Sequence, residues 1–166
     1  MTRYYLIIDD DGVCRKILQQ HLHQLLGSPL DGNEAPFVIH CAADGFDAAK
    51  KVVELRPLRY DLVITDFSMP GMDGSETAKI LRVLDQHVPI ACLTSEVLDA
   101  GFSENCKNAG IFTVVPKPAN GQKVLRILVG SMLPDILDCG PTQFNAHSKS
   151  VKNGELFVQE QAPMSL

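Results

Sequence analysis

Basic residues are sparse in this sequence, and nowhere do they form a stripe or cluster. The 15 Lys and Arg against 20 Asp and Glu give a net charge of −5, and the basic side chains are scattered singly along the chain. Binding to DNA or RNA through the phosphate backbone requires several basic groups on one surface. We therefore expect no direct contact with nucleic acid.

Long apolar runs and paired cysteines are also lacking. The N-terminal sequence MTRYYLIIDDD reaches acidic residues after fewer apolar positions than a signal peptide or a membrane span requires. The cysteines lack CxxC spacing, which argues against a zinc site and a disulfide framework. They are Cys14, Cys41, Cys92, Cys106 and Cys139. We expect a cytoplasmic protein that keeps its thiols reduced and does not contact a membrane.

What the sequence does contain is a regular alternation of short apolar runs with helical patterns. An apolar run at residues 4–8 is followed by acids and then by an amphipathic stripe from Val13 to Leu25. Apolar runs recur at 37–41, 62–65, 88–93 and 111–115, and helical patterns at 46–55, 75–85, 96–109 and 120–132. Continuous apolar strands between amphipathic helices indicate a parallel sheet covered on both faces. The sequence thus predicts a doubly wound α/β domain with five parallel strands.

The length of the chain suits one domain and a tail. With 166 residues, of which 45% are apolar, it can bury one good core but is too short for two ordinary domains. We predict a domain over residues 1–133 and a largely irregular C-terminal tail over residues 134–166, which prolines and glycines interrupt. The one candidate for order in the tail is a hairpin around Asn153-Gly154, because this dipeptide suits a two-residue turn. We find no effector motif there.

Polar residues stand directly after four of the predicted strands. They are the acids Asp9-Asp10-Asp11, then Asp66, Thr94 and Lys117. In open parallel sheets functional groups gather at the carboxyl ends of the strands, so we expect these side chains to share one pocket. Clustered carboxylates repel one another unless a cation lies between them, and oxygen ligands suit Mg²⁺. With Mg²⁺ and Lys117 neutralising the charge, Asp66 could attack phosphorus and form an acyl phosphate.

Four motifs carry a resemblance to a known family, namely LIIDDD, DLVITDFSMPGMDG, CLTSE and PKP. Through these motifs the chain resembles the receiver domain of two-component response regulators, and the resemblance covers roughly residues 3–133. The resemblance implies a flavodoxin-like fold with strand order 2-1-3-4-5. It also implies a response regulator that takes a phosphoryl group on Asp66 from a sensor histidine kinase or a histidine phosphotransfer protein. Because the tail shows no effector motif, we expect a single-domain regulator. Signalling would then proceed by protein contact or phosphorelay.

The resemblance also implies the roles of individual residues. Thr94 would hydrogen-bond the new phosphoryl oxygen, and Lys117 would pair with it. Ser68 and Glu96 would flank the path of the attacking water. Self-phosphorylation from a phosphodonor and autodephosphorylation are the only reactions expected. The bound cofactor would be Mg²⁺. Its protein ligands would be Asp10 and Asp66 through carboxylates, Asp9 mainly through water, and the backbone carbonyl of Ser68.

The output of such a domain is less well defined by the sequence. Receivers commonly have Tyr or Phe three residues before the lysine, but this chain has Val114, so output would depend instead on backbone shifts near Thr94 and the following helix. Phe112 should lie on the same side of the strand as Val114. The predicted surface for contact with a partner is formed by the fourth helix, the fifth strand and the fifth helix. It has more apolar residues than one buried stripe needs, so part of it could bind a partner protein or a second copy of the chain. These residues are Val97, Leu98, Phe102, Val124, Leu125, Ile127 and Leu128.

Two other functions remain open at this point. A phosphatase of the haloacid dehalogenase type is one, because Asp9 to Val13 fits the DxDGV pattern, with Asp9 as nucleophile and Asp11 as general acid. That hypothesis leaves the sequence TDFSMPGMDG unexplained. A receiver-like scaffold that binds partners without phosphorylation is the other, although no expected acid, acceptor or lysine is missing.

Overall fold

Strands and helices alternate along the described part of the chain, residues 2–26, 37–96 and 99–132, in a computed structural model. The strands are β1 (Arg3–Ile8), β2 (Phe37–Ala42), β3 (Leu62–Asp66), β4 (Ile90–Thr94) and β5 (Thr113–Pro116). The helices are α1 (Gly12–Leu26), α2 (Gly45–Glu54), α3 (Gly74–Leu84), α4 (Ala100–Asn108) and α5 (Gly121–Met132). Each strand is followed by a helix, as the apolar periodicity predicted.

The five strands form one parallel sheet in the order β2-β1-β3-β4-β5. The predicted doubly wound, flavodoxin-like arrangement is therefore confirmed. In the sheet Ile8 is paired with Thr65, and Asp66 is paired with Leu93. The carboxyl ends of β1, β3 and β4 thus lie side by side at one edge, where the predicted site residues follow them.

Apolar layers cover both faces of the sheet. Alternate residues of β1 enter opposite layers, Leu6 and Ile8 on one face and Tyr5 and Ile7 on the other, and none is more than 2% exposed. A strand covered on both faces has to be apolar at nearly every position. Full burial of each such aliphatic side chain contributes about 1.5–3 kcal/mol. Strand β1 is consequently held firmly in the core, and the acidic residues that follow it start from a fixed position.

Helix α4 begins later than the sequence pattern predicted. Its N-cap is Asp99, whose side chain accepts a hydrogen bond from the backbone N–H of Phe102 at 2.7 Å. A helix start at residue 96 was therefore wrong, because a side-chain oxygen at Asp99 satisfies the first-turn donor instead. Glu96 precedes the helix, and its N–H donates to Oγ1 of Thr94 at 2.9 Å.

Strands β4 and β5 each begin two residues later than predicted, at Ile90 and Thr113. Before β4 stands Pro89, which has no N–H for the ladder, although its carbonyl accepts a hydrogen bond from Val63. The shift also changes the expected pairing of faces. Phe112 precedes β5 and packs in the layer of Tyr5 and Ile7, whereas Val114 packs in the opposite layer. The expectation that Phe112 and Val114 share a side was wrong, because period-two alternation holds only within a strand.

The predicted surplus of apolar surface on α4, β5 and α5 is contradicted for the residues described. Val124, Ile127 and Leu128 are at most 3% exposed and belong to the core, because α5 also packs against α1. The large apolar side chains that are exposed in the described residues lie on α1, β2, α2, the turn after α2, and α3. They are Val13, Ile17, Val38, Phe46, Val53, Leu55 and Val83.

Some expectations fall on residues outside the described ranges. These are the tail over residues 134–166 with its hairpin at Asn153-Gly154, the positions of Val97 and Leu98, and the side chain of Leu125. Within the described ranges, no helix combines the length and the apolar content needed to cross a bilayer.

Candidate functional site

Three carboxylates meet where β1 and β3 end. Asp9 and Asp10 follow β1 directly, and Asp66 is the last residue of β3. Each offers one oxygen, and these oxygens lie within 4.8 Å of one another. Asp9 and Asp66 are buried, whereas Asp10 is exposed. The parallel register contributes to this cluster, since it places the ends of β1 and β3 next to each other.

The ammonium of Lys117 lies between two of these carboxylates. Its Nζ is 2.9 Å from Oδ1 of Asp66 and 3.0 Å from Oδ2 of Asp9. Lys117 follows β5, its backbone N–H donates to the carbonyl of Thr94, and its peptide bond to Pro118 is cis. The structure therefore brings Asp9, Asp10, Asp66 and Lys117 together from three strand ends.

The pKa of Asp66, the candidate acceptor, is subject to opposing effects. Burial raises the pKa of the Asp66 carboxyl, and the neighbouring charge of Asp9 adds to this effect, while the hydrogen bond from Lys117 lowers it. The net pKa of Asp66 is above its usual value. For Lys117 burial lowers the pKa, but the hydrogen bonds to Asp66 and Asp9 outweigh it and leave the pKa above its usual value. Lys117 is therefore held in its charged form.

The donor set fits a hard divalent cation. Three carboxylates and one ammonium leave two negative charges, which a divalent ion balances. One oxygen from each carboxylate lies within 4.8 Å of the other two, close to the span of about 4.2 Å between opposite ligands of Mg²⁺. The exposure of Asp10 leaves one side of the cluster open to water, and Mg²⁺ usually keeps several waters. The cluster could thus hold Mg²⁺ with carboxylate and water ligands.

The turn between β1 and α1 is held by hydrogen bonds from both sides. Oδ1 of Asp9 accepts the N–H of Asp11 at 2.9 Å, and Oδ1 of Asp11 accepts the N–H of Val13 at 2.7 Å. The hydrogen bond from Val13 lowers the pKa of Asp11, which acts as a cap at the start of α1. On the other side, Nη1 of Arg15 donates to the carbonyls of Asp9 at 2.5 Å and Asp10 at 3.2 Å. Sequence reasoning missed Arg15, because an arginine one turn inside a helix has no signature of its own.

A second basic residue stands in the same relation to the loop of Lys117. Nζ of Lys123 donates to the carbonyls of Pro116 at 2.8 Å and Pro118 at 3.0 Å, the two residues on either side of Lys117. Lys123 lies in the first turn of α5. The backbone on both sides of Lys117 is thus hydrogen-bonded to α5, the helix that follows it.

Thr94 and Ser68 lie at the border of the site. Thr94 is fully buried at the end of β4, next to the strand that carries Asp66, and its hydroxyl accepts the N–H of Glu96. Oγ of Ser68 donates to Oε1 of Glu96 at 2.9 Å, which joins the loop after β3 to the loop after β4. Contacts in the described residues thus link Thr94, Glu96 and Ser68 to one another, and Thr94 to the Lys117 backbone.

Two glycines explain the shape of the loop MPGMDG after β3. Gly71 has φ of +79°, a conformation that side chains rarely adopt. Gly74, the first residue of α3, comes so close to β3 that a Cβ there would lie 2.5 Å from the carbonyl oxygen of Asp66. Asp73 forms a capping box with Glu76 and so starts α3 at this point. Helix and loop are therefore packed directly against the backbone of the acceptor candidate.

An aromatic pair connects this loop to α4. Phe67, which follows Asp66, packs on Phe102 of α4 with ring centroids 4.4 Å apart and planes tilted by 55°. Both rings are partly buried against the apolar layer that also receives Val114. The sequence pattern did not predict this contact, since the two residues are far apart in the chain and α4 was assigned a different start.

The family model of the response regulator receiver domain matches residues 5–129. The chain belongs to this family. As a receiver domain it has the expected five-stranded fold, and receiver domains bind Mg²⁺ at the acidic site and are phosphorylated on an aspartate.

Similar proteins come from bacteria and fungi. A protein-glutamate methylesterase/protein-glutamine glutaminase of Nocardioides sp. is 36% identical over 117 residues, which are 69% of this chain and 29% of the relative. The transcription factor SKN7 of Chaetomium thermophilum is 28% identical over 74% of this chain and 14% of its own length. The chain thus spans less than a third of the length of these curated relatives.

Solved structures show the same fold. The chemotaxis response regulator CheY4 of Vibrio cholerae has a TM-score of 0.61 and 26% identity, over 79% of this chain and 99% of that one. The receiver domain of the sensor histidine kinase PA1611 of Pseudomonas aeruginosa PAO1 has a TM-score of 0.61 and 26% identity, over 77% of this chain and 95% of that one. That structure has a magnesium ion coordinated in the active-site cleft.

Membership of the receiver family sets aside the haloacid dehalogenase alternative. That hypothesis required Asp11 to donate a proton, but its carboxylate caps α1 and has a lowered pKa. It also left unexplained the loop after Asp66, which the receiver family match includes.

Proposed function

We propose that this receiver domain accepts a phosphoryl group on Asp66 and acts as a reversible switch. The observation that carries the proposal is the position of the Asp66 carboxylate, which is buried, paired with Lys117 at 2.9 Å and adjacent to two further carboxylates. A buried carboxylate without other acids nearby would need only one cation for compensation. Here two positive charges are required beyond that of Lys117, which a divalent ion would supply, and such an ion would also neutralise charge on the transferring phosphoryl oxygens.

The proposed donor is a phosphohistidine on a sensor histidine kinase or a histidine phosphotransfer protein. An oxygen of Asp66 attacks phosphorus as the phosphorus–nitrogen bond breaks, and the imidazole leaves with the electron pair. Mg²⁺, when bound by Asp9, Asp10, Asp66 and the carbonyl of Ser68, supplies neutralisation of the transferring phosphoryl oxygens. The similar PA1611 receiver, which holds magnesium in its cleft, supports this cofactor.

The other residues act on the product. Lys117 loses one carboxylate partner when Asp66 becomes an acyl phosphate, and its ammonium can then pair with a phosphoryl oxygen. The Thr94 hydroxyl has one hydrogen to donate to another phosphoryl oxygen, since its bond to Glu96 uses only an acceptor site. Attack of water on phosphorus then breaks the bond to Asp66 and releases inorganic phosphate, which restores the carboxylate.

The signal passed to a partner would arise from the negative charge that phosphorylation adds at Asp66. Phosphorylation replaces the singly charged Asp66 carboxylate with an acyl phosphate of about −1.5 to −2 charges, a net gain of about one negative charge or less at this buried position, which can shift the balance between two local conformations. We propose that α4, β5 and α5 carry the change to a protein partner. Thr94 ends β4, the strand that precedes α4, and Lys117 lies between β5 and α5. A homodimer through this face remains part of the proposal, without support from exposed apolar side chains in its described residues. The proposal also places the chain in the cytoplasm, whose reducing conditions suit its free thiols.

Intact mass after incubation with phosphoramidate tests the proposal. The parent gains one phosphoryl group only when Mg²⁺ is present, Asp66→Asn gains none, and Asp9→Asn gains one more slowly than the parent. Glu104→Gln, an exposed carboxylate of α4, is the matched control and behaves as the parent. A parent that gains no mass makes the unphosphorylated scaffold the better account, and a mass gain by Asp66→Asn contradicts the assignment of the acceptor.

A further inference from the structure

Arg15 has contacts that neither the fold nor the phosphoryl chemistry assigns. It lies one turn inside α1, its side chain is partly buried, and Nη1 donates to the carbonyls of Asp9 and Asp10 at 2.5 Å and 3.2 Å. Its other terminal nitrogen, Nη2, lies near Gly12, and a Cβ added at Gly12 would be 3.5 Å from this nitrogen. The guanidinium is therefore folded back over the turn instead of extending into solvent.

These two carbonyls lie where regular secondary structure leaves backbone groups without partners. They follow the last residue of β1 and precede the first residue of α1, so neither a strand ladder nor a helix supplies a donor. A charged donor makes stronger hydrogen bonds than a neutral one, and an arginine nitrogen can serve two acceptors. Arg15 thereby fixes the peptide planes of the two residues whose carboxylates face the cluster.

We propose that Arg15 is a positioning residue for the divalent cation site and that it sets the affinity of the Asp9-Asp10 pair for the ion. This inference rests on the proposed function, since it assumes that the carboxylate cluster binds Mg²⁺. Arg15 acts on the backbone behind the ligands, as the outer partners of metal ligands do in other sites, where their loss lowers metal affinity about 10- to 100-fold. Arg15 is distinct from a ligand because a guanidinium has no acceptor atom to offer a cation, and its Nη1 bonds the backbone carbonyls of Asp9 and Asp10.

Charge and geometry predict opposite signs for the loss of Arg15. A positive charge near a cation site repels the cation, so removal of the guanidinium would by electrostatics alone tighten binding. Removal of its hydrogen bonds releases the turn and costs affinity. Asp10 is the more sensitive ligand, because it is exposed, whereas Asp9 is also held by Asp11 and Lys117. The geometric effect dominates in our proposal, and the sign of the measured change decides between the two.

The experiment uses Mn²⁺ as the probe, measured by electron paramagnetic resonance on the unphosphorylated chain. Arg15→Met lowers the Mn²⁺ affinity about tenfold, and Arg15→Lys, which keeps a charged donor, loses less. Lys16→Met removes an exposed charge from the next position of α1 and is the matched control, with unchanged or slightly tighter binding. Asp10→Asn removes a ligand and marks the level of lost binding. Circular dichroism on each sample gives the folded fraction, to which the affinities are normalised.

Each outcome separates the inference from the function on which it rests. Arg15→Met that binds Mn²⁺ as tightly as the parent, or more tightly, overturns the positioning role and leaves the metal site intact. A parent that binds no Mn²⁺ removes the metal site itself and the inference with it. If Arg15→Met does not fold, Arg15→Gln is judged by the same criterion, since it retains a neutral donor of shorter reach. Loss of affinity that Arg15→Lys does not restore in part is also evidence against the proposal.

Discussion

Replacing Lys117 with methionine should destabilise the unphosphorylated domain strongly. The change removes the ammonium from between Asp9 and Asp66, whose side chains are only 1% and 7% exposed. Loss of one partner of a buried ion pair costs about 3–5 kcal/mol, because the remaining charge is left uncompensated. Lys117 itself is 21% exposed, so water can partly take its place, and we expect a loss near the lower end, about 3 kcal/mol.

Urea unfolding followed by far-ultraviolet circular dichroism measures this loss. The buffer contains a chelator, since a divalent cation would compensate the same carboxylates. With a denaturant slope of about 2 kcal/mol per molar, a loss of about 3 kcal/mol moves the midpoint by about 1.5 M. Lys79→Met, an exposed lysine of α3, is the matched control and should change the free energy of unfolding by less than about 0.5 kcal/mol.

The loss should depend on pH with a definite sign. Burial raises the pKa of Asp66 and Lys117 opposes this, so the variant has an Asp66 pKa raised further above the unfolded value. A carboxyl with a raised folded pKa binds its proton more tightly in the folded state. Stability therefore falls as the pH rises through that raised pKa, and the deficit of Lys117→Met is largest above it and shrinks in acid.

The double variant Lys117→Met with Asp66→Asn tests the cause. Removing the Asp66 charge relieves the repulsion with Asp9, so the double variant should be more stable than Lys117→Met alone. A Lys117→Met protein that unfolds at the same urea concentration as the parent refutes the reasoning. So does a double variant that is no more stable than the single one, because the loss would then come from packing and not from charge.

Two further predictions concern the loops around Asp66. The Ser68–Glu96 hydrogen bond of 2.9 Å joins the loops that border the site, so replacing both residues with alanine should speed dephosphorylation about fivefold, the effect of about 1 kcal/mol. Phosphate release from the labelled protein measures it, and an unchanged rate removes their role. Gly74→Ala should cost about 3 kcal/mol or more in urea unfolding, because the new Cβ would lie 2.5 Å from the backbone oxygen of Asp66. Gly71→Ala should cost only about 1 kcal/mol, because its φ of +79° is strained but nothing lies within 4 Å, and equal losses would contradict the packing argument.

The sequence predicted the elements that depend on periodicity. Strands covered on both faces are apolar almost throughout, so β1, β3 and β4 could be recognised from composition alone, and the polar residues after them marked the edge of the sheet. Given the parallel order, the proximity of Asp9 and Asp66 follows from the register. Motif resemblance then distinguished this edge from other α/β sites.

The contacts that could not be predicted join residues whose patterns carry no information about one another. Arg15 folds back onto carbonyls behind it, and Lys123 does the same for the Lys117 loop, yet both have the sequence appearance of ordinary surface residues. The start of α4 was misplaced because the competing cap, Asp99, lies within the predicted helix and does not break its apolar pattern. The excess apolar surface on α5 was overestimated because α5 also packs on α1, a contact that depends on the fold.

Val114 bears on how a signal would leave the site under the proposed function. A valine has no ring to swing between buried and exposed positions, so movement in this region has to be carried by other groups. The described structure offers the Phe67–Phe102 contact, which packs against the same apolar layer as Val114. Phe67 is the residue next to Asp66, and its N–H is bonded to the carbonyl of Leu93, beside Thr94. A shift of the backbone at the end of β3 or β4 would therefore move Phe67 against Phe102 of α4. No change of rotamer in β5 is needed for this movement.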